Sequence, residues 1–225
     1  MYQVAAPNPL AEQMDHILYH IMREPLRNLA CTTTLLTEQL KHSNNPTLHD
    51  YTNALCSNAE RLSGIIKGML ELQHLEQISL SKQQICLKSI LEKAQAELAS
   101  SHRLAISYQF TRSLPPVRGD AALLKSAFKG ILQNAYESTI SNPAIDLSMQ
   151  EAEKDVTLIF KNPCHNLDSS MVAELTKPFT SANKSRNHLG LGLARVDSIV
   201  KRHQGSLEVN INKQNEFVVN IKLKK

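Results

Sequence analysis

The first 63 residues of this chain contain no glycine, and apolar residues recur there at intervals of three, four or seven. This spacing is typical of helices with one apolar face. Residues 42–47 interrupt it with Asn-Asn-Pro, which favours a turn. The pattern predicts a helical hairpin within residues 1–79, with arms roughly 45–50 Å long at about 1.5 Å per residue. The apolar face of the first arm comprises Leu10, Met14, Ile17, Ile21, Pro25, Leu29, Leu36 and Leu40, and that of the second Leu48, Tyr51, Leu55, Ala59, Leu62, Ile66 and Met69.

Two helices alone cannot bury both of these apolar faces, because a lone antiparallel pair leaves much of each in water. We therefore expect two chains to pair into a homodimeric four-helix bundle. From residue 80 onward the pattern changes to short β-like runs that alternate with helical segments. This alternation predicts a separate α/β sandwich over residues 80–225, with helices on one face of a sheet. We expect strands at 84–87, 104–110, 145–150, 156–162, 206–212 and 216–223, and helices at 89–99, 120–140, 169–175 and 192–203.

The composition excludes several other classes of protein. With 25 Lys and Arg against 21 Asp and Glu, the net charge is only +4, and there is no tryptophan. Nucleic-acid binding is therefore not expected. The four cysteines are scattered without a Cys-x-x-Cys pair, which argues against a zinc knuckle or a disulfide scaffold and favours a reducing cytoplasm. We find no uncharged apolar run of 18 residues, so we expect the chain to be soluble as written.

His20 is the first candidate for chemistry. It lies on the polar side of the first predicted helix, four residues from His16. Pro25, one turn later, would bend or loosen the helix, at about 3 kcal/mol for a proline in a helix interior. A local deformation beside an exposed imidazole suggests function, although a tolerated kink beside a solvated histidine explains the residues equally well. A metal site on His16 and His20 is disfavoured because no third ligand accompanies them.

The motif His20-x-x-Arg23-x-Pro25-Leu26 resembles the box of sensor histidine kinases in which the histidine accepts a phosphoryl group. The second half carries further matches in the same order, so the resemblance covers roughly residues 8–225. Asn134-Ala135 resembles the box whose asparagine binds Mg²⁺, for which a carboxamide oxygen is a suitable ligand. The family's first asparagine of that box is replaced by Gly130.

The adenine-binding box of the family, Asp-x-Gly-x-Gly, is altered here. Asn162 aligns with the aspartate, and Cys164 and Asn166 align with the glycines. The Asn162 oxygen can still accept a hydrogen bond from the adenine amino group. A metal or thiol role for Cys164 and His165 is disfavoured because neither has a partner at ligand spacing.

Residues 175–179 resemble the family's F-box, and the polar loop at 180–189 would then be the ATP lid. Lys184 and Arg186 in that loop are candidate phosphate contacts, although each is equally well explained as an ordinary solvated charge. Gly190 and Gly192 open the next helix and resemble the last glycine box, with its first glycine replaced by His188. Backbone N–H groups at such a helix start can bind polyphosphate.

The resemblance implies a kinase core that binds ATP and Mg²⁺, phosphorylates His20 and passes the phosphoryl group to an aspartate of a response-regulator receiver domain. The family usually has an acidic residue directly after the histidine, where this chain has Ile21. Glu24 on the next turn is the candidate substitute for proton removal. We expect a core that works with a separate sensor, or as the cytoplasmic end of a longer receptor. The alternatives are a histidine phosphotransfer relay with a degraded ATP site and a purely structural dimer module.

Overall fold

The structure is a computed structural model that describes residues 23–40, 46–99, 105–109, 113–138, 144–164, 167, 169–172, 174–181 and 189–225. These residues form two compact units, and the chain passes from the first to the second between His74 and Leu75. Long helices form the first unit, and helices with a mixed sheet form the second. The predicted fold class, a helical hairpin followed by an α/β sandwich, is confirmed.

The first unit is built from helix α1 (Arg23–Leu40) and most of helix α2 (Pro46–Gln77). Thr33 and Thr52 are buried, and each hydroxyl donates to a carbonyl of its own helix, so neither polar group is left unpaired. Large apolar side chains of these helices remain 39–66% exposed, namely Leu29, Leu35, Leu36, Leu48, Tyr51, Leu55, Leu62 and Met69. The exposed set includes most of the described part of the predicted apolar faces.

The described residues of the second unit form two sheets. Their strands are β1 (Gln83–Ile85), β2 (Ala105–Tyr108), β3 (Val117–Gly119), β4 (Ala144–Glu151), β5 (Asp155–Pro163), β6 (Ser206–Ile211) and β7 (Glu216–Lys224). The larger sheet has five strands in the order β2-β4-β5-β7-β6. β2 runs parallel to β4, and the other neighbouring strands are antiparallel. β1 and β3 form a separate two-stranded antiparallel sheet.

The helices of the second unit are α3 (Leu87–Ala99), α4 (Ala121–Ser138), α5 (Ser169–Val172) and α6 (Gly192–Arg202). Side chains of α3, α4 and α6 share one hydrophobic core with the sheet. Alternate residues of β5 are buried, as expected for a strand with one covered face. At the centre of this core the rings of Phe128 and Phe160 have centroids 6.1 Å apart.

Two differences between the predicted elements and the structure concern the small sheet of β1 and β3. The strand expected at 84–87 ends at Ile85, because Leu87 is fully buried as the first residue of α3. The strand β3 was not predicted, because three residues with Arg118 in the middle are too short for alternation to be recognised.

A polar joint connects the start of α4 to the end of α6. Asp120 caps α4 by accepting hydrogen bonds from the backbone of Ala122 and Leu123, and its other carboxylate oxygen accepts one from Ser81. Burial alone would raise the pKa of Asp120, but these three N–H groups outweigh it and hold the pKa below its ordinary value. His203, next along the chain after α6, completes the joint.

His203 is held as a neutral ring. Its Nε2 accepts a hydrogen bond from the Asp120 backbone N–H at 2.9 Å, so its proton lies on Nδ1, 2.7 Å from the carbonyl oxygen of Ile199. Burial lowers the pKa of His203, although the Ile199 carbonyl and the Asp120 carboxylate oppose that shift. A Cβ on Gly119 would come within 2.6 Å of this ring, which explains the glycine there.

Arg202 connects α6 to the chain segment that follows the hairpin. Its guanidinium donates to the backbone carbonyls of Leu75 and Ile78, at the end of α2 and just beyond it. Leu75 lies in the last turn of α2 and Ile78 lies beyond it, so the helix provides no partner for either carbonyl and the arginine satisfies both. Within the described ranges, no helix combines the length and the apolar character that crossing a membrane requires.

Candidate functional site

The structure describes four of the predicted site residues, Asn134, Asn162, Gly190 and Gly192, and all four belong to the second unit. His20, Lys184, Arg186 and the side chain of Glu24 lie outside the described residues. The described site residues are therefore those predicted to bind the nucleotide. They lie at the start of α6, in the second half of α4 and at the end of β5.

Gly190 has a backbone conformation that requires glycine. Its φ is +67°, and a Cβ there would lie within 2.6 Å of the backbone N, C and O of Thr180. The Gly190 carbonyl accepts a hydrogen bond from the N–H of Phe179 at 3.0 Å. The backbone just before α6 is thus held directly against the end of the predicted F-box.

Gly192 begins α6, and its surroundings are the opposite of those of Gly190. It is exposed, and a Cβ built on it would meet no atom within 4 Å. Leu191, at the N-cap, provides no side-chain hydrogen bond to the first turn of α6. The first turn of α6 therefore has no side-chain cap from Leu191, its first residue is exposed, and its N–H groups carry the positive end of the helix dipole. This arrangement suits a polyphosphate.

Asn134 is half-buried on α4, one turn after Gly130. No described residue makes a hydrogen bond with its carboxamide. Gly130 lies at the contact between α4 and α6, where a Cβ would be 3.3 Å from Cγ2 of Val196. Arg195 joins the same two helices by donating to the Ser126 hydroxyl at 2.8 Å. Gly130, which lacks the family's amide, thus allows close packing between the helix with Asn134 and the helix that begins at Gly192.

Asn162 lies near the end of β5 and is only 4% exposed. Its Nδ2 donates to the hydroxyl of Ser138 at 3.2 Å and to the carbonyl of Pro163 at 3.1 Å. The Ser138 hydroxyl in turn donates to the carbonyl of Ala135 on α4 at 3.1 Å. The last turn of α4 and the end of β5 are joined through this buried amide.

Cys164 stands where the family has a glycine, and the β6–β7 turn holds it in place. Both its backbone N–H and its thiol donate to the carbonyl of Asn215, each at 3.1 Å. Asn215 has a φ of +57°, which asparagine tolerates better than most residues. Burial raises the pKa of the Cys164 thiol, and the Glu216 carboxylate raises it further. The thiol therefore stays protonated, which argues against a nucleophilic role.

The donor set fits Mg²⁺ only together with phosphate. Asn134 supplies a neutral oxygen without a described partner, and Mg²⁺ commonly takes one or two protein ligands with phosphate oxygens and waters in the remaining positions. Within the described ranges, no group of three or more His, Cys, Asp or Glu residues is placed to hold a metal ion alone. Nucleotide phosphates and waters would thus have to provide most of the ligands.

Sequence reasoning missed two residues that shape this site. Ser138 was predicted only as part of a helix, and nothing local indicates its hydrogen bond to Asn162, which is 24 residues away. Asn215 was predicted only as part of the β6–β7 turn. The tendency of asparagine to adopt positive φ gave a signal for its backbone conformation, but none for its contact with Cys164.

Comparisons with known proteins agree with this geometry. A family model described as the GHKL domain matches residues 121–224, which include all four described site residues. The probable sensor kinase SilS of Salmonella typhimurium is 25% identical over 210 residues, which are 84% of this chain and 40% of that protein. The heme sensor protein HssS of Staphylococcus aureus is 25% identical over 211 residues, which are 92% of this chain and 46% of that protein. The chain thus spans less than half the length of these curated relatives.

Solved structures of histidine kinases have the same fold. Full-length ShkA in complex with AMPPNP matches with a TM-score of 0.65 and 18% identity, over 94% of this chain and 45% of that one. The histidine kinase ThkA in complex with the response regulator TrrA matches with a TM-score of 0.63 and 19% identity, over 95% and 63% of the two chains. The histidine kinase AdeS of Acinetobacter baumannii matches with a TM-score of 0.61 and 16% identity, over 93% and 97%. The GHKL domain over residues 121–224, the sequence relatives and this shared fold together support a histidine kinase catalytic core.

Proposed function

We propose that this core autophosphorylates His20 from ATP and then passes the phosphoryl group to an aspartate of a response-regulator receiver domain. In this proposal residues 1–79 form the dimerisation and phosphoacceptor domain, and residues 80–225 form the ATP-binding domain. The observation that carries it is the uncapped start of α6, where the Gly190 backbone packs against Thr180 and a Cβ on the exposed Gly192 would meet no atom within 4 Å.

The phosphate end of the site works by position and charge. The N–H groups at the start of α6 bind the phosphate oxygens, and Lys184 and Arg186 add positive charge from the lid loop. Asn134 provides the protein ligand for Mg²⁺, which when bound neutralises charge on the phosphates. At the base end, the oxygen of Asn162 accepts a hydrogen bond from the adenine amino group.

The acceptor is a neutral imidazole nitrogen of His20. It attacks the γ-phosphorus in line, so that a nitrogen–phosphorus bond forms while the bond to the bridging oxygen of ADP breaks. Glu24, one turn along the helix, takes the proton that the imidazole loses, which is the role we assign in place of the missing acid at Ile21. The aspartate carboxylate of the receiver domain then takes the phosphoryl group as the nitrogen–phosphorus bond breaks, and the ring nitrogen regains a proton from Glu24, which restores the neutral ring.

The fold and the names of the relatives support the proposed partners. ThkA, with the same fold, was solved in complex with a response regulator. The relatives SilS and HssS are named as sensors, which supports a sensor region on this chain or on a partner, with the core in the cytoplasm. The exposed apolar side chains on α1 and α2 support a homodimeric four-helix bundle.

Labelled ATP tests the phosphoryl transfer directly. With γ-³²P ATP and Mg²⁺, the wild-type chain should acquire an acid-labile label. His20→Ala should abolish it, and His16→Ala, the matched control one turn earlier, should retain it. Equal labelling of wild type and His20→Ala would contradict His20 as the acceptor. A wild-type chain that takes label only from a phosphorylated receiver domain would instead establish the relay function.

The oligomeric state tests the dimer. Leu55 is 49% exposed on the apolar face of α2. Leu55→Glu should shift the chain from dimer to monomer in light scattering coupled to gel filtration. Asn53→Glu adds the same charge about 200° around the helix and should remain dimeric. A wild-type monomer at micromolar concentration would contradict the bundle.

A further inference from the structure

A carboxamide such as that of Asn162 has two chemically opposite ends. The oxygen only accepts hydrogen bonds and the nitrogen only donates them, so a freely rotating asparagine could serve bases of either kind. Asn162 is only 4% exposed, and its immediate partners therefore decide which end faces a ligand. In this chain those partners belong to α4 and to the Asn162–Pro163 segment itself.

Two backbone carbonyls fix the direction of the hydrogen bonds around this amide. The Ser138 hydroxyl lies 3.1 Å from the carbonyl of Ala135, which can only accept, so Ser138 gives its one proton to that carbonyl. The Ser138 oxygen is then an acceptor toward the Asn162 side chain, 3.2 Å away. The Pro163 carbonyl, 3.1 Å from the same amide nitrogen, is an acceptor as well. Both neighbours therefore require the NH₂ end.

The opposite orientation is disfavoured by the same groups. It would place the Asn162 oxygen against the Pro163 carbonyl and the Ser138 oxygen, so two hydrogen bonds would be replaced by contacts between acceptors. In the observed orientation the oxygen points away from both, and no described residue donates to it. A nucleotide base that reaches Asn162 would thus meet an acceptor.

We propose that Ser138 is a positioning residue that sets the base specificity of this site, because it holds the Asn162 carboxamide with its oxygen toward the ligand. The site then favours a 6-aminopurine nucleotide, whose amino group donates, over a 6-oxopurine nucleotide, whose carbonyl would face another acceptor. A site built to pair with a donor disfavours the analogue that lacks it, because its own polar group is left unpaired. This inference rests on the proposed function, since it assumes that a nucleotide occupies the cleft.

ADP and inosine diphosphate provide the test, because they differ only around position 6 of the base and carry no γ-phosphoryl group to transfer. Titration calorimetry with Mg²⁺ on the full chain should show ADP binding at least about tenfold more tightly, the scale of one hydrogen bond. Ser138→Ala should reduce this preference severalfold, because one of the two acceptors that orient the amide is lost. Ser138→Thr, which keeps the hydroxyl, should preserve it.

A double-mutant cycle separates orientation of the amide from a general loss of structure. In Asn162→Asp both side-chain ends are acceptors, so there is no amide left to orient. Adding Ser138→Ala to Asn162→Asp should therefore leave the ratio of the two affinities unchanged, whereas it changes the ratio when Asn162 is present. The ratio is taken between two ligands on one protein sample, so it is insensitive to the fraction of chain that is folded.

The outcomes distinguish this inference from the proposed function. If Ser138→Ala keeps the wild-type ratio, or if the wild-type chain binds both diphosphates equally, the role of Ser138 is overturned while nucleotide binding stands. If the wild-type chain binds neither, both the inference and the ATP-dependent function fall. An equal effect of Ser138→Ala in the wild-type chain and in the Asn162→Asp variant would show a merely structural role and would also overturn the inference.

Discussion

The two ends of the candidate nucleotide site, the start of α6 and the end of β5, fix their local conformation by different means. At the start of α6 the backbone conformation requires glycine, because Gly190 adopts a positive φ and leaves no room for a Cβ beside Thr180. At the end of β5 the corresponding glycine is absent. There Cys164 is fixed by two hydrogen bonds to Asn215, and Asn162 by bonds to Ser138 and Pro163.

The difference follows from what each end must contact. A polyphosphate is bound by backbone N–H groups, which a Cβ would obstruct, so glycine is hard to replace there. A purine base is bound by a side-chain oxygen, which needs orientation more than space. Side-chain hydrogen bonds can provide that orientation, so a glycine is less necessary at the end of β5 than at the start of α6.

Replacement of Gly190 should have the largest effect. Gly190→Ala forces a Cβ into a left-handed residue against the Thr180 backbone, and should lower the free energy of unfolding by about 2 kcal/mol or more. Gly192→Ala is the matched control, since its Cβ meets no atom within 4 Å. It should leave the stability within about 0.5 kcal/mol while weakening nucleotide binding. Urea denaturation measures the stability of both variants. A Gly190→Ala variant with the wild-type free energy of unfolding would contradict the requirement for glycine.

The polar joint of Asp120 and His203, between the start of α4 and the end of α6, should make the free energy of unfolding depend on pH. His203 has a pKa below its ordinary value of 6.5 because it is buried as a neutral ring. The unfolded chain therefore binds a proton more readily, so the stability that His203 contributes is complete above about pH 6.5 and is lost as the pH falls through the folded pKa. Asp120 also has a lowered pKa, so its contribution is lost at more acidic pH.

Denaturation curves between pH 7.5 and 5 measure this dependence. His203→Gln, which keeps a side-chain acceptor but cannot titrate, should flatten the pH dependence in this range. An unchanged slope in that variant would show that His203 is not responsible.

Much of the fold could be predicted because its signals are local. Apolar residues at helical spacing, without glycine, indicated the hairpin. Short β-like runs between helical segments indicated β4 to β7. Partners far along the chain could not be predicted. Cys164 was interpreted only as an alteration of the adenine-binding box, because its partner Asn215 is 51 residues away. Gly130 was interpreted only as a missing amide, because its contact with Val196 depends on how α4 and α6 pack.

Substitutions at the end of β5, where the nucleotide base would bind, should have smaller effects on stability. Asn215→Ala places an alanine at a φ of +57° and should lower the free energy of unfolding by about 1 kcal/mol. Asn215→Gly keeps both the backbone carbonyl and the conformation, so it should be close to wild type in thermal unfolding. If the glycine variant is destabilised as much as the alanine variant, the asparagine side chain matters more than its backbone conformation.

The central claim is that this altered cleft still binds a nucleotide through Asn134 and the start of α6. Titration calorimetry of the full chain with AMPPNP, with and without Mg²⁺, tests it most directly. The wild-type chain should show saturable binding that Mg²⁺ strengthens, and Asn134→Ala should lose the Mg²⁺ effect while its thermal unfolding stays unchanged. No binding by the wild-type chain, or an undiminished Mg²⁺ effect in Asn134→Ala, would contradict it.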